Sequence, residues 1–305
     1  MRVAILGTGA LGCVFAAQLA EQVEVWMLGT WSEGLAAVQR DGITVQEPEG
    51  TCRQVRVATA SDPALVPPAD AALILVKSYQ TERAAAWAAR VLSRTGGLAV
   101  TLQNGLDNGQ KIAAAVGPAR AAIGVTYLGA TLLGPGRVRL AARQRTCIGL
   151  NGTADHLIES FVSVLNRAGL EAHTTPDAEA LLWGKAIANA AINPLTALWR
   201  VLNGELLATP ERRKLLAALA REGATVAQGK GIALPFDDPV EYVISVCRAT
   251  AANRSSMLQD VGRGRSTEVD SINGAIVAEG VKLGIPAPLN EMVWHLVRGI
   301  AACAA

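Results

Sequence analysis

Three polar side chains interrupt an alanine- and isoleucine-rich stretch, WGKAIANAAINPLTA at residues 183–197, at four-residue intervals: Lys185, Asn189 and Asn193. Four residues is just over one helical turn, so the three share one face and drift by roughly 80° over two turns. An ammonium and two amides are costly to bury without partners. The other faces carry Ala186, Ile187, Ala188, Ala190, Ala191 and Ile192, so the stripe reads as a cleft lining rather than a solvated surface. Pro194 lacks an N–H and is expected to kink or end this helix. The combination suits ketone reduction. An ammonium can protonate the alkoxide that hydride transfer creates, and amides can hold a carboxylate. A partner for the lysine is offered by RSTEVDSING (265–274), where Glu268 and Asp270 open a predicted helix. NRSSMLQD (253–260) adds Ser255 and Ser256.

A hydride source is written at the N-terminus. In AILGTGALG, Gly7, Gly9 and Gly12 stand in GxGxxG register, with Thr8, Ala10 and Leu11 between them. The spacing supplies a tight turn, then backbone that a pyrophosphate can approach, then close helix–strand packing. The helix N-terminus adds N–H donors and positive potential. These six residues are the expected dinucleotide contacts. Cofactor choice is read at the end of the second strand, where an acid holds a ribose 2′-hydroxyl and an arginine a 2′-phosphate. WMLGTWSEG places Gly29 and Thr30 there, with Ser32 and Glu33 beyond. Thr30 is a weak phosphate donor, so NAD and NADP both stay open, and an arginine placed at Gly29 is expected to tilt preference toward NADPH. Two further strand ends point to the same crevice: LVKSYQT with Lys77, and TLQNG with Asn104.

The elements that must position these residues fall into two halves. VAIL (3–6), VEVWML (23–28), ITV (43–45), VRVA (55–58), ALILVK (72–77) and LAVTL (98–102) read as strands, several separated by helix-like runs. Continuous apolar strands alternating with helices mean a Rossmann-type α/β fold, a doubly wound parallel sheet covered on both faces. Segments at 121–130, 137–141 and 146–150 are expected to extend that sheet. Beyond LEAHTTPD (170–177) strands nearly vanish, and helices are predicted over 178–193, 210–230, 238–252, 268–283 and 288–301. The expected domains are 1–174, binding the dinucleotide, and 175–305, an all-α substrate and catalytic domain.

Composition narrows the partners. With 305 residues, 50% hydrophobic content and a net charge of +2, the chain has material for a core and no electrostatic case for nucleic acid. Cys13, Cys52, Cys147, Cys247 and Cys303 are odd in number and never paired as CxxC, against disulfides or structural zinc. His156, His173 and His295 lie at no metal-ligand spacing. No apolar run reaches the ~18 residues of a membrane span, and a cytoplasmic location is expected. The expected partner is a small 2-oxo acid. No heptad marks an oligomer interface, so a homodimer stays open.

In order along the chain, GTGALG, LVKSYQ, QNG, LWGKAIANAAINPLTAL, NGEL, SSMLQD and TEVDSINGAIV resemble the 2-dehydropantoate 2-reductase (ketopantoate reductase) family over essentially the whole length. The resemblance implies NADPH-dependent reduction of 2-dehydropantoate to pantoate, in pantothenate and coenzyme A synthesis. It implies Lys185 as general acid, with Glu268 setting its orientation and charge and lying at the ligand site. Asn104 would sit between nicotinamide and substrate, and Asn189, Asn193 and Ser256 on the substrate's hydroxyl and carboxylate groups. Lys77 would lie near the cofactor. Where the family often carries an arginine for the 2′-phosphate, this chain has Gly29, so NAD is not excluded. Two alternatives stand beside this reading: a different 2-oxo acid reduced on the same scaffold, and a non-catalytic NAD(P) sensor, against which the intact Lys185–Glu268 set speaks.

Overall fold

Strand β1 (Arg2–Leu6) sends Val3 and Ile5 into one apolar cluster and Ala4 and Leu6 into another, as a strand covered on both faces must. The computed structural model describes residues 1–94, 96–142 and 144–302. The strands after β1 are β2 (Glu24–Leu28), β3 (Ile43–Gln46), β4 (Cys52–Val55), β5 (Ala58–Ala60), β6 (Ala71–Ile74), β7 (Leu98–Thr101), β8 (Ala121–Thr126), β9 (Gly129–Gly134), β10 (Arg137–Ala142), β11 (Thr146–Gly149) and β12 (Ala172–Thr175). Among the described residues an eight-stranded sheet runs β12-β11-β8-β7-β6-β1-β2-β5. All its pairs are parallel except β8 with β11. Helices α1 (Ala10–Leu19), α2 (Ser32–Asp41), α3 (Thr81–Val91), α4 (Asn108–Val116) and α5 (Asp155–Arg167) accompany it. The two clusters assign faces: α1 and α5 pack on one side, α3 and α4 on the other.

Residues 43–45 and 137–141 do not extend that sheet. They belong to a separate four-stranded sheet, β4-β3-β10-β9. Their burial explains it: Ile43, Val45, Val138 and Leu140 are buried while Arg137 and Arg139 are exposed. A strand with one apolar face covers a core rather than sitting inside one, and these four side chains join the cluster built on α1. The VRVA run also divides, with Val55 ending β4 and Ala58 beginning β5.

The remaining chain is helical: α6 (Ala178–Trp199), α7 (Pro210–Gly229), α8 (Pro239–Ala249), α9 (Ser256–Gly262), a π-helical turn at Asp270–Gly274, α10 (Ala275–Leu283) and α11 (Pro288–Ala302). Trp183, Ile187, Ala191 and Leu195 of α6 share a core with Leu216, Leu219 and Ala220 of α7, Val243 and Cys247 of α8, and Ile276 of α10. Contacts divide the chain into two units, Met1–Gln103 with Asn108–Ala178, and Asn104–Asp107 with Glu179 onward. The division thus falls a few residues beyond 174, after β12 has completed its pairing with β11, and residues 104–107 side with the helices. No helix of the described residues is long and apolar enough to cross a membrane. Cys13, Cys52, Cys147 and Cys247 are free thiols, and Cys303 lies outside the described residues.

Of the expectation that Pro194 would kink or end the helix, the ending is not met, since α6 continues through it to Trp199. Proline removes the N–H that would bond the carbonyl four residues earlier, here Ala190. The side-chain amide of Asn273 donates to that carbonyl at 3.0 Å, and a satisfied buried carbonyl lets the helix run on.

Candidate active site

The glycine turn of the first unit divides its labour. Gly7 has φ +133°, a region few L side chains adopt, and a Cβ there would lie 2.8 Å from the Leu75 carbonyl carbon. A Cβ on Gly12 would overlap the carbonyl oxygen of Gly7. Both glycines are demanded by the protein itself. Gly9 is different: it caps α1 in extended backbone, and a Cβ there would meet no protein atom within 4 Å. The open face at Gly9 is where close backbone approach by a ligand would use the missing side chain. The first turn of α1 carries no acidic residue, so its positive end is uncompensated for an anion. Thr8 is buried, Ala10 and Leu11 are partly exposed, and Thr30 is exposed two residues beyond β2. Lys77 stands before a short 3-10 turn, Ser78–Gln80, three residues past β6.

In the second unit the polar stripe of α6 lies where the spacing placed it. Lys185 and Asn189 are partly buried and Asn193 is 5% exposed, between buried Ala186, Ile187, Ala188, Ala190, Ala191 and Ile192. Among the described residues no protein group hydrogen-bonds the side-chain amides of Asn189 or Asn193. Burial pushes the Lys185 ammonium down to about 8, and the negative charge of Glu268 opposes that shift. Glu268 is buried, and its Oε2 accepts from Asn104 Nδ2 at 3.2 Å.

The π turn holds this set together. Asn104 is carried to Glu268 by a loop whose Leu106 N–H donates to the Ser271 carbonyl at 3.0 Å. Gly105, at φ +102°, passes so close that a Cβ would sit 2.6 Å from Ser271 Cβ. On its other side the turn reaches α6 through Asn273, whose amide also donates to Asn290 Oδ1 at 3.0 Å. Asn290 in turn donates to Glu222 Oε2 at 2.9 Å, and Glu222 accepts the N–H groups of Leu289 and Asn290 at the start of α11. One buried chain of hydrogen bonds thus ties α7, α11, the π turn and α6. A π turn at such a place is a frequent mark of a functional segment.

Two sequence candidates make no hydrogen bond to this cluster among the described residues. Asp270, offered with Glu268 as a lysine partner, instead accepts from Trp294 Nε1 at 2.6 Å and pairs with Arg298 at 3.7 Å. Ser256 is the partly buried first residue of α9, and no hydrogen bond of the described residues links it to Lys185, Asn189 or Asn193. Its neighbour Ser255 is the bolt. Ser255 Oγ accepts from Leu258 N at 3.0 Å and lies 2.7 Å from Thr196 Oγ1, and Thr196 donates to the Asn193 carbonyl at 2.9 Å. Asn273 escaped the sequence reading. Its signal is an asparagine in SINGA with no charged neighbour to solvate it, paired with a proline inside a distant helix.

A glycine-turn α/β unit joined to a helical unit bearing a partly buried lysine beside a buried carboxylate defines a Rossmann-type oxidoreductase. Residues 3–152 match the family described as "Ketopantoate reductase PanE/ApbA", and residues 177–301 match "Ketopantoate reductase PanE/ApbA C terminal". A 2-dehydropantoate 2-reductase of Halobacterium salinarum is 37% identical over 302 residues, 98% of each chain. One of Archaeoglobus fulgidus is 37% identical over 303 residues, 98% of this chain and 97% of that one. Among solved structures, a PanE/ApbA family ketopantoate reductase from Ralstonia eutropha superposes with a TM-score of 0.91 at 30% identity, covering 100% of this chain and 99% of the other. D-mandelate dehydrogenase with NADH and anilino(oxo)acetate superposes with a TM-score of 0.92 at 26% identity, over 100% and 99%. The chain belongs to the ketopantoate reductase family and is an oxidoreductase of that kind.

Proposed function

We propose that the protein reduces 2-dehydropantoate to pantoate with NADPH, a step of pantothenate and coenzyme A synthesis, and that Lys185 is its general acid. The observation that carries the reading is the Lys185–Glu268–Asn104 set around a buried carboxylate, in a chain whose relatives bear that reductase's name. The open backbone at Gly9 supports a dinucleotide on the turn from Gly7 to Gly12, with Thr8, Ala10, Leu11, Thr30 and Lys77 around it. Bound there, the reduced nicotinamide supplies the hydride. Every other part belongs to the chain. A lysine held at about 8 is charged at neutral pH yet releases its proton to a developing alkoxide more readily than an ordinary lysine. Glu268 favours the charged form before transfer and keeps Asn104 oriented. Asn189 and Asn193 present amides that the protein leaves unengaged, suited to a 2-oxo acid's carboxylate, and Ser256 adds a hydroxyl.

The second reading keeps this chemistry and changes the acid. The superposition on D-mandelate dehydrogenase favours it, because that relative accepts a different acid on a closely similar backbone. The deciding measurement is nicotinamide oxidation over a panel of 2-oxo acids, aliphatic and aromatic, with NADPH and with NADH. Highest kcat/KM for 2-dehydropantoate is the expected result. Preference for an aromatic 2-oxo acid establishes the second reading, and turnover of none overturns both.

A further inference from the structure

We propose that Arg83, on α3, supplies the cation that recognises a 2′-phosphate on the cofactor's adenosine ribose, a task the end of β2 cannot perform in this chain. The proposal rests on the dinucleotide reading of the turn from Gly7 to Gly12. Ribose recognition in such a fold falls to the residues just beyond the second strand. Gly29 comes first, and a Cβ there would lie 2.8 Å from the Thr8 methyl carbon. Thr8 is buried within the glycine turn, so a long side chain at 29 disturbs the turn it is meant to assist. The expectation that an arginine at 29 would favour NADPH therefore meets a steric obstacle. Thr30 follows, exposed and uncharged, and its hydroxyl accepts from Arg83 Nη2 at 3.3 Å. A guanidinium stands at the strand end although the strand contributes none.

Its place is fixed from beneath. Arg83 is the third residue of α3. Gln103 Nε2 donates to the Val76 carbonyl at 2.8 Å and to Thr81 Oγ1 at 2.9 Å, and Thr81 Oγ1 donates to Asn108 Oδ1 at 2.7 Å. Thr81, Gln103 and Asn108 are buried, so the start of the helix is anchored in the sheet's carboxyl edge. Among the described residues no carboxylate pairs with Arg83. Glu33 and Glu82 are exposed and form no ion pair with it, while Glu24 pairs with Arg2 and Asp62 with Arg90. One guanidinium donor goes to Thr30, and the rest are available to an anion. A phosphate accepts from such a fork in bidentate fashion, whereas a 2′-hydroxyl does not.

The test is ligand binding without substrate. The intact protein is titrated with NADPH, NADH, 2′,5′-ADP and ADP, followed by calorimetry. Wild type is expected to bind 2′,5′-ADP more tightly than ADP. Arg83→Ala is expected to lower 2′,5′-ADP affinity roughly ten- to hundredfold, with ADP unchanged and Arg83→Lys in between. Arg90→Ala, farther along α3, is expected to alter neither. An Arg83→Ala protein that keeps the wild-type preference overturns the proposal and leaves NADPH use intact. Equal wild-type affinity for 2′,5′-ADP and ADP overturns it together with the NADPH assignment, while the dinucleotide site survives. Failure to bind NADPH and NADH alike overturns the underlying reading.

Discussion

Asn273 donates its side-chain amide to the main-chain carbonyl of Ala190 at 3.0 Å, the carbonyl that Pro194 deprives of a helical N–H. A defect in one helix thereby becomes the docking point of another segment. Ala190 follows Asn189 directly and Asn273 lies five residues past Glu268, so this bond fixes the spacing between the amide stripe and the carboxylate. Asn273→Ala leaves the Ala190 carbonyl and the Asn290 amide oxygen without this donor, each costing about 1–3 kcal/mol. Pro194→Ala returns a donor to Ala190, so the double variant should regain part of the loss. Urea unfolding of the four proteins measures the coupling, and strictly additive losses would break the argument.

The proton donor sets a pH profile. With Lys185 as the proposed proton donor, reduction would need its ammonium, which burial lowers to about 8 and Glu268 supports. The rate of reduction should fall as pH rises through about 8, and the reverse oxidation should rise over the same range. Glu268→Gln removes the group that favours the charge, so the midpoint should move to lower pH. A midpoint that stays put excludes Glu268 from that role. The same shift has a stability sign. Unfolded, the lysine returns to 10.5, so between about 8 and 10.5 the unfolded chain binds more protons and stability rises with pH. Lys185→Met should flatten that slope in denaturant titrations.

Lys185→Ala should lower kcat by roughly 10²–10⁴-fold, the usual worth of a positioned acid. Its dissociation constant for NADPH, measured by calorimetry, should stay at the wild-type value. Full turnover in this variant removes the lysine from the chemistry.

Gly9→Ala and Gly7→Ala should separate folding from ligand approach. A Cβ at Gly9 meets no protein atom, so that variant should keep its melting temperature while losing dinucleotide affinity. A Cβ at Gly7 meets the Leu75 backbone in a strained conformation, so that variant should melt earlier. Equal melting losses at both positions would deny Gly9 a binding role.

The two adjacent serines make a matched pair. Ser255 caps α9 and packs its hydroxyl on Thr196, so Ser255→Ala should cost about 1 kcal/mol of stability. Ser256 makes no such bond, and Ser256→Ala should raise the Michaelis constant for the oxo acid at unchanged melting temperature. A pure kcat defect in Ser256→Ala would contradict substrate binding.

What the residues alone disclosed follows their reach along the chain. The glycine turn and the α6 stripe are local patterns, with periods set by the strand and the helix, and both were visible. The second sheet was not, because β3 pairs with β10 some ninety residues later and neither strand names its partner. That α6 would run on past Pro194 was hidden for the same reason: Asn273, which satisfies the freed Ala190 carbonyl, lies 83 residues beyond Ala190. Asp270 and Glu268 could not be told apart by spacing. Trp294 and Arg298 on α11 turn Asp270 outward, while Asn104 engages Glu268. No sequence motif singles out Arg83, and its bond to Thr30 joins residues 53 apart in the chain.

Residues 104–107 interrupt the first unit yet belong with the helices, and that has a meaning for recombination. A chimera cut once, near 178, would marry the Asn104 loop of one relative to the Glu268 and Ser271 of another. The heritable module is instead discontinuous, a four-residue insert plus everything after the cut. Gene shuffling within this family should yield active hybrids only when both pieces travel together.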